Sequence, residues 1–429
     1  MTTFHSSAVV ETARDLQIWG YPLVFAQRLR LRFTCPLDPL APRPPTSAGA
    51  PLNQLGHQRR LSDHTLTAGV APNVDTLYSL AFLDLDSGDF ELRLPDFGSR
   101  YYSVQVGEAD SSTAAVMGFR THGATMPPLR LTRGSGLAHA GHRLECRSRY
   151  VMVAIRVLVD PAVPTDLIAA QRLQDLIELV GPPSPPIESD QAFVALVHRS
   201  RDEEVLSPEG FLDSLDSAMA GLPMADIPPW VVEARLRLRK SLADDATGDG
   251  RALVARGLAA GLDRIAQHVS ALGRTVNGWA INESGTDFGD DHLLRAAVAH
   301  SQIYVNPAAE AVYPVCETDD LGRSLTGAHR YSITFAPDDL PPADHFWSLT
   351  MYHRRGLLCE NVIGRHAITD RTPGLRTSRD GTLALLIQNA SPSFAANWLP
   401  CPPDEFRVML RLYGPRDVSW APPAIVRIG

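Results

Sequence analysis

Asp75 and Tyr78 stand three residues apart in the segment Val70-Ala71-Pro72-Asn73-Val74-Asp75-Thr76-Leu77-Tyr78, just ahead of the largely apolar run Leu80 to Leu85. A carboxylate and a phenol at that spacing can move a proton. Arg100, Tyr102, Gln105 and Arg120 follow on neighbouring segments and can clamp an anion or a carbonyl oxygen. In this constellation Asp75 is the acid/base, Tyr78 and Tyr102 donate hydrogen bonds, and Arg100 or Arg120 holds an oxygen, with Asn73 and Gln105 contacting substrate. The segments read as strands, so Tyr78 and Tyr102 are expected to line one face. Gln105 has the opposite parity to Tyr102 unless a bulge intervenes. The same residues also have structural uses: Asn73 and Asp75 can cap a turn, Arg100 can pair with Asp75, and the tyrosines can anchor sandwich corners.

A second set lies in the C-terminal half: Trp347, Tyr352, Asn361, Arg365, Asn397, Trp398 and Arg411. Aromatic rings with a buried arginine suit an apolar ligand that has one polar handle. They suit an interdomain seam equally well. For metal the signals are thinner. His139-x-x-His142 sits in a Gly-rich loop without a third ligand at useful spacing, and a catalytic zinc needs three protein ligands. His353 and His366 form another loose pair. The acidic run Asp287, Asp290 and Asp291 could hold Mg²⁺ through a diphosphate in a metal-dependent lyase or synthase, but Asp290 or Asp291 also makes a natural helix N-cap. The expectation is no metal.

Nucleophile and cofactor signatures are not found. Gly134-Ser135-Gly136 lacks the spacing of a nucleophile elbow, no Gly-x-Gly-x-x-Gly follows a strand, and no phosphate-binding Walker loop occurs. No cofactor is expected.

The elements that must position these groups fall into blocks. Ser7 to about Leu31 has helical periodicity, with a kink or break expected at Gly20-Tyr21-Pro22. The segment Cys35 to Leu52 is Pro-rich and reads as loop. Thr76–Asp84, Phe90–Leu94, Tyr101–Val106 and the near-continuous Tyr150–Val159 read as strands of an antiparallel sandwich, punctuated by turns at Ser87-Gly88-Asp89 and Asp96-Phe97-Gly98. Helices are expected after the caps Thr165 (to Val180), Ser189 and Ser207, then over Pro228–Ala243, Asp249–Leu272 and Asp291–Tyr304. Strand character returns at Tyr331–Ala336, Phe346–Tyr352, Leu383–Gln388, Phe406–Tyr413 and Ala424–Ile428. The division is therefore 1–64 (helix and Pro-rich loop), 65–160 (first sandwich), 161–305 (helical region) and 306–429 (second sandwich).

The chain has 429 residues, 44% hydrophobic and 21% charged, as expected of a soluble globular protein of more than one domain. Its net charge of −8 argues against nucleic acid or an anionic membrane as partner. Lys240 is the single lysine, and genomic base composition accounts for that better than any need for guanidinium. The five cysteines are scattered and read as free, mostly buried thiols. Met1 to Ala8 has no basic n-region, and no stretch reaches the length of a membrane span, so the expected location is cytoplasmic.

Three segments, Gly20-Tyr21-Pro22-Leu23, Pro72-Asn73-Val74-Asp75-Thr76-Leu77-Tyr78 and Asp96-Phe97-Gly98-Ser99-Arg100-Tyr101-Tyr102-Ser103-Val104-Gln105, resemble the uncharacterised DUF1254 family. Four more resemble its usual companion, DUF1214: Gly327-Ala328-His329-Arg330-Tyr331, Phe346-Trp347-Ser348-Leu349-Thr350-Met351-Tyr352, Asn397-Trp398-Leu399-Pro400 and Leu410-Arg411-Leu412-Tyr413. The resemblance implies an α+β, mainly β chain: an N-terminal immunoglobulin-like sandwich, a helical middle region and a C-terminal jelly-roll-like sandwich. It implies no activity. The sequence departs from the family at His353, which follows Tyr352 where relatives have Asp or Asn. It departs again at Asn361-Val362-Ile363-Gly364-Arg365-His366, in place of a more usual Asn-Pro-Ile-x-Arg-Tyr.

The functional expectation is an isomerase, cyclase or lyase acting by acid/base chemistry on a small, largely apolar metabolite. The alternatives are a ligand-binding or scaffold protein without chemistry and the metal-dependent enzyme described above. A small-molecule ligand is the expected partner, with self-association through exposed sheet edges also open.

Overall fold

The computed structural model describes residues 2–428 except 39, 67–68, 135–138, 141, 186–196, 198–205, 245–247, 283–285 and 287, with backbone alone for 2–5, 139 and 140. The chain is α+β, with its sheets paired into two sandwiches. In the first sandwich, β1 (Gly56–His57), β2 (Thr76–Asp84), β9 (Tyr150–Leu158), β4 (Tyr102–Gly107) and β5 (Thr113–Gly118) form an antiparallel sheet in that order. The second sheet is ordered β10 (Glu178–Val180), β3 (Phe90–Arg93), β6 (Leu129–Arg133), β8 (Arg143–Cys146) and β7 (His139–Ala140). Period-two side chains drive this pairing: Leu77, Ala81, Leu83, Val153, Ile155 and Val157 from one sheet meet Phe90, Leu92, Leu131 and Leu144 from the other. The outer face of the β2–β9–β4 sheet is covered as well, which is why β9 reads as a near-continuous apolar run.

The helices are α1 (Thr2–Thr34), α2 (Phe119–His122), α3 (Asp166–Asp175), α4 (Pro208–Met219), α5 (Pro229–Ala243), α6 (Asp249–Val269) and α7 (His292–Gln302). Two expected caps form: Ser207 Oγ accepts from the Gly210 amide at 3.1 Å, and Asp291 Oδ1 accepts from Leu294 at 2.9 Å. Three expectations are corrected. First, of the kink or break expected at Gly20-Tyr21-Pro22, the break does not occur, and α1 runs on through Pro22. It is buried around most of its girth, with Leu16, Trp19 and Leu23 packed in one cluster and Ile18, Tyr21 and Phe25 in another. That burial outweighs a proline cost of about 3 kcal/mol. Second, the helix after Thr165 ends at Asp175, and Glu178–Val180 instead pairs with β3 as an edge strand. Third, the 161–305 segment is not wholly helical, because β11 (Arg274–Val276) and β12 (Trp279–Ile281) extend the second sandwich. The helix expected after Ser189 lies outside the described residues.

In the second sandwich, β11, β12, β14 (Val315–Cys316), β20 (Phe406–Pro415), β16 (Ala343–His353) and β17 (Ala367–Thr369) are hydrogen-bonded in that order, with β13 (Ala311–Val312) also on β20. The facing sheet runs β19 (Trp398–Pro400), β18 (Leu383–Gln388), β15 (Tyr331–Phe335) and β21 (Val426–Arg427). Trp279, Ile333, Leu349, Leu385 and Val408 fill the space between them. Cys35, Cys146, Cys316, Cys359 and Cys401 form no disulfide with one another, and all but Cys359 are buried. No helix among the described residues is long and apolar enough to cross a membrane.

Two glycines let α6 lie close on α1. A Cβ at Gly257 would sit 2.4 Å from the Val10 carbonyl oxygen and 2.5 Å from Ala13 Cβ, and one at Gly261 would sit 2.7 Å from Gln17 Cβ. Backbone and Cβ atoms there cannot swing aside as a long side chain would. Gly257→Val is therefore expected to lower stability by about 1–3 kcal/mol or more, read as a lower midpoint in urea unfolding. Gly248→Ala, at a site where an added Cβ meets nothing within 4 Å, tests backbone strain at φ 85° without any helix clash, and is expected to cost less.

Candidate functional site

Register decides which side chains leave the first sandwich core together. Tyr78 and Ser103 both pair with Arg156 of β9, and Leu80 and Gln105 both pair with Ala154. Tyr78, Arg156 and Gln105 therefore share the outer face of the sheet. Leu29 and Phe33 of α1, residues Ile303–Val305 after α7, the loop 69–73, and Met409, Arg411 and Tyr413 of β20 cover that face. Together they enclose a cavity of about 360 Å³, within the range of roughly 300–1,000 Å³ typical of small-molecule sites. Leu80, Phe82, Met152 and Ile303 make much of the wall apolar.

The charged part of the wall is two guanidiniums among phenols, and Thr46, Gln58, Ser62, Ser301 and Gln302 add neutral polar groups. Arg156 is 7% exposed; its Nε donates to the Tyr78 hydroxyl at 3.2 Å and its Nη2 to Gln105 Oε1 at 2.8 Å. Its Nη1 has no hydrogen-bond partner among the described residues. Arg411, 2% exposed, donates from Nη1 to Thr350 Oγ1 at 2.9 Å, and from Nη2 to the Ala71 carbonyl at 2.7 Å and the Tyr352 hydroxyl at 2.6 Å. Every one of these partners is a neutral oxygen. Among the described residues, no carboxylate reaches ion-pair distance of either guanidinium, and no carboxylate, imidazole or thiol lines the cavity.

The phenols respond to that charge. Burial alone would raise the Tyr78 phenol, but the charge and hydrogen bond of Arg156, with the charge of Arg411, bring it below the ordinary tyrosine value. Tyr413 moves well up, through burial and the neighbouring phenols Tyr313 and Tyr78. Tyr352 is also raised, by burial first.

Of the residues singled out in the sequence, Asn73, Tyr78, Gln105 and Arg411 line the cavity. Tyr352 stands behind Arg411 and donates to the Pro72 carbonyl at 2.7 Å. Asn73 donates to the Tyr413 hydroxyl at 2.9 Å and accepts from the Asp75 amide at 2.7 Å, so it also makes the turn expected of it. The expectation that Tyr78 and Tyr102 share a face is corrected. Tyr102 pairs with Val157, points into the core and stacks on Phe97 at 4.0 Å. Arg100 does not meet Asp75; it grips Asp166 through both terminal nitrogens, at 2.5 and 2.7 Å. Arg120 pairs with buried Glu310 at 2.7 Å. Asp75, 1% exposed, accepts from Ser348 Oγ at 2.5 Å and Arg371 Nη2 at 3.1 Å, and it is not part of the cavity wall.

The remaining C-terminal residues hold their own sandwich together. Trp347 packs in the core near Phe335, and Trp398 Nε1 donates to the Gln388 carbonyl at 2.9 Å. Asn397 ties Arg376 to Ala384, while Arg365 collects the carbonyls of Ala395, Ala396 and Trp398. Asn361 closes the loop to Arg365. His366 lies 6.1 Å from His64, and burial lowers its pKa; burial likewise lowers that of His353. Asp291 is occupied as a cap, and Asp287 lies outside the described residues. No group of three or more potential metal ligands occurs among the described residues.

Arg156 is the group the sequence reading passed over. Its signal was present: it is the one charged residue inside the apolar strand Tyr150–Leu158. A charge in a strand buried on both faces needs a partner or a ligand.

Residues 52–180 match the family described as a protein of unknown function (DUF1254), and residues 310–417 match a second so described (DUF1214). No curated protein matches the chain. The crystal structure of a Vibrio parahaemolyticus protein is similar over 98% of this chain and 100% of its own, at 19% identity and a TM-score of 0.63, which is a likeness of fold. An uncharacterized protein from Burkholderia cenocepacia aligns over 100% of this chain and 96% of its own, at 12% identity and a TM-score of 0.46.

Asp75 joins the two sandwiches through a nearly buried ion pair. Asp75→Asn removes the buried partner of Arg371, which keeps its ion pair with Asp370, and is expected to cost about 1–3 kcal/mol, measured by urea unfolding. An unchanged midpoint would remove Asp75 from the seam.

Proposed function

We propose that this chain, a member of the DUF1254/DUF1214 domain family, is a small-molecule enzyme that performs cofactor-independent acid/base chemistry in the cavity between its sandwiches. The observation that carries the reading is Tyr78: a phenol on the cavity wall, hydrogen-bonded to a buried guanidinium and held below its ordinary pKa. A phenol tuned toward neutrality can take a proton from carbon or oxygen and return it, as isomerisation, cyclisation or elimination requires. Arg156 stabilises the phenolate, and Gln105 fixes Arg156. Asn73 and Arg411 complete the polar wall against which an apolar substrate is oriented. The proton-transfer role first assigned to Asp75 thereby passes to Tyr78, because Ser348 and Arg371 already occupy Asp75. Five cysteines that form no disulfide with one another favour a reducing compartment, the cytoplasm.

A ligand-binding protein without chemistry is the second reading, favoured by a wall whose titratable groups are phenols and guanidiniums alone among the described residues.

The test has two parts. Ultraviolet titration of the phenols is expected to show an ionisation below the ordinary tyrosine value of about 10, and Tyr78→Phe removes that step. Small molecules extracted from the purified wild type and from Tyr78→Phe are then compared by mass spectrometry, and each recovered compound is returned to fresh wild-type protein. Conversion by wild type, slowed in the variant by about 10²–10⁴-fold, supports the enzyme. Recovery of one compound that neither protein alters supports the binding protein.

A further inference from the structure

We infer that the ligand of this cavity is an amphipathic carboxylic acid, its carboxylate held by Arg156 and its apolar body lying along Phe33, Leu80, Phe82 and Met152. The inference rests on reading the cavity as a small-molecule site and supplies that site's substrate class.

The argument is one of charge balance. A buried guanidinium is costly unless an anion and a full set of hydrogen bonds compensate it. Several partly buried arginines are compensated by carboxylates: Arg100 by Asp166, Arg371 by Asp75 and Asp370, Arg149 by Asp84. On the cavity wall, Arg156 and Arg411 are hydrogen-bonded to neutral oxygens alone, and only Arg411 of the two also feels the charge of Asp75. Both act on the same phenol, Tyr78, so their positive fields converge on one region of the cavity. An anion placed there meets two cations in a medium of low polarity, where charge-assisted bonds are strongest.

The donors decide which anion. Both terminal nitrogens of Arg411 are already engaged by Thr350, Ala71 and Tyr352. Arg156 Nη1, buried and without a hydrogen-bond partner among the described residues, is the donor left over, and Asn73 lies on the same wall. A phosphate group offers three strong acceptor oxygens and needs donors around all of them. A planar carboxylate has two oxygens and suits a guanidinium edge. The apolar remainder of the wall sets the other half of the ligand, and a cavity of about 360 Å³ limits that body to a small metabolite or a medium-length chain.

The experiment measures binding of dodecanoate, dodecanol and dodecyl phosphate to the full-length protein by calorimetry. Dodecanoate is expected to bind one per chain, at least tenfold tighter than dodecanol, with dodecyl phosphate no tighter than the acid. Arg156→Gln should abolish the preference for the acid, and an unchanged far-ultraviolet circular dichroism spectrum reports that the variant is folded. Arg156→Lys should restore part of the preference, and Leu80→Trp should weaken both ligands. Equal binding of acid and alcohol to the wild type overturns the carboxylate assignment and leaves the cavity reading standing. Tighter binding of the phosphate overturns the assignment in favour of a phosphorylated ligand. If none binds, or if Leu80→Trp changes nothing, the cavity reading falls and the assignment with it.

Discussion

The structure depends on how one loop is held. Residues 69–75 leave the first sandwich ahead of β2, and the sheet of the second sandwich takes up their polar groups one after another. The Ala71 amide donates to the Gly356 carbonyl, the Ala71 carbonyl accepts from Arg411, and the Pro72 carbonyl accepts from Tyr352. The Asn73 side chain then bonds Tyr413, and the Asp75 carboxylate takes Ser348 and Arg371. Backbone groups buried without partners would oppose such docking, and here they are met. Without the loop the β2–β9–β4 face would be open on one side, and the cavity would be a shallow trough.

That arrangement divides the work of the two buried arginines. Arg411 is mostly structural, its terminal nitrogens satisfied by the loop and by β16, although its charge still reaches the cavity. Arg156 has only Tyr78 and Gln105, both neutral, and one nitrogen left over. Seam and cavity are therefore parts of one construction. The loop that bridges the sandwiches brings Arg411 close enough to Tyr78 to add to the effect of Arg156 on its phenol.

Much of the architecture was legible in the sequence because it follows from period. Leu77, Ala81 and Leu83 alternate, β9 is apolar but for Arg156 and its terminal Tyr150, and Ser207-Pro208 and Asp291 mark helix starts that form as expected. What local pattern could not give was context. Pro22 stays within a continuous α1 because helices and sheet bury that helix around its girth, and Glu178–Val180 is a strand because β3 offers it an edge. Asn73, Tyr78, Gln105 and Arg411 were recognisable as cavity candidates by type. The ion pairs of Arg100, Arg120 and Asp75 span 66, 190 and 296 residues of chain respectively, and no sequence spacing announces a partner that distant.

Tyr78 and Tyr102 show how little separates a structural side chain from a chemical one. Both sit on strands flanking β9, and each is a phenol in a largely buried setting. Tyr78 pairs across from Arg156 and Tyr102 from Val157, one register step along β9. A step of one residue turns a side chain to the opposite face. On the core face, burial pushes the Tyr102 phenol up to about 12, and the ring serves as packing against Phe97. On the cavity face, the same desolvation acts on Tyr78, but two guanidiniums overcome it and the phenol moves down. Residue type set the list of candidates. Register, and the placement of one arginine in an apolar strand, selected Tyr78 from it.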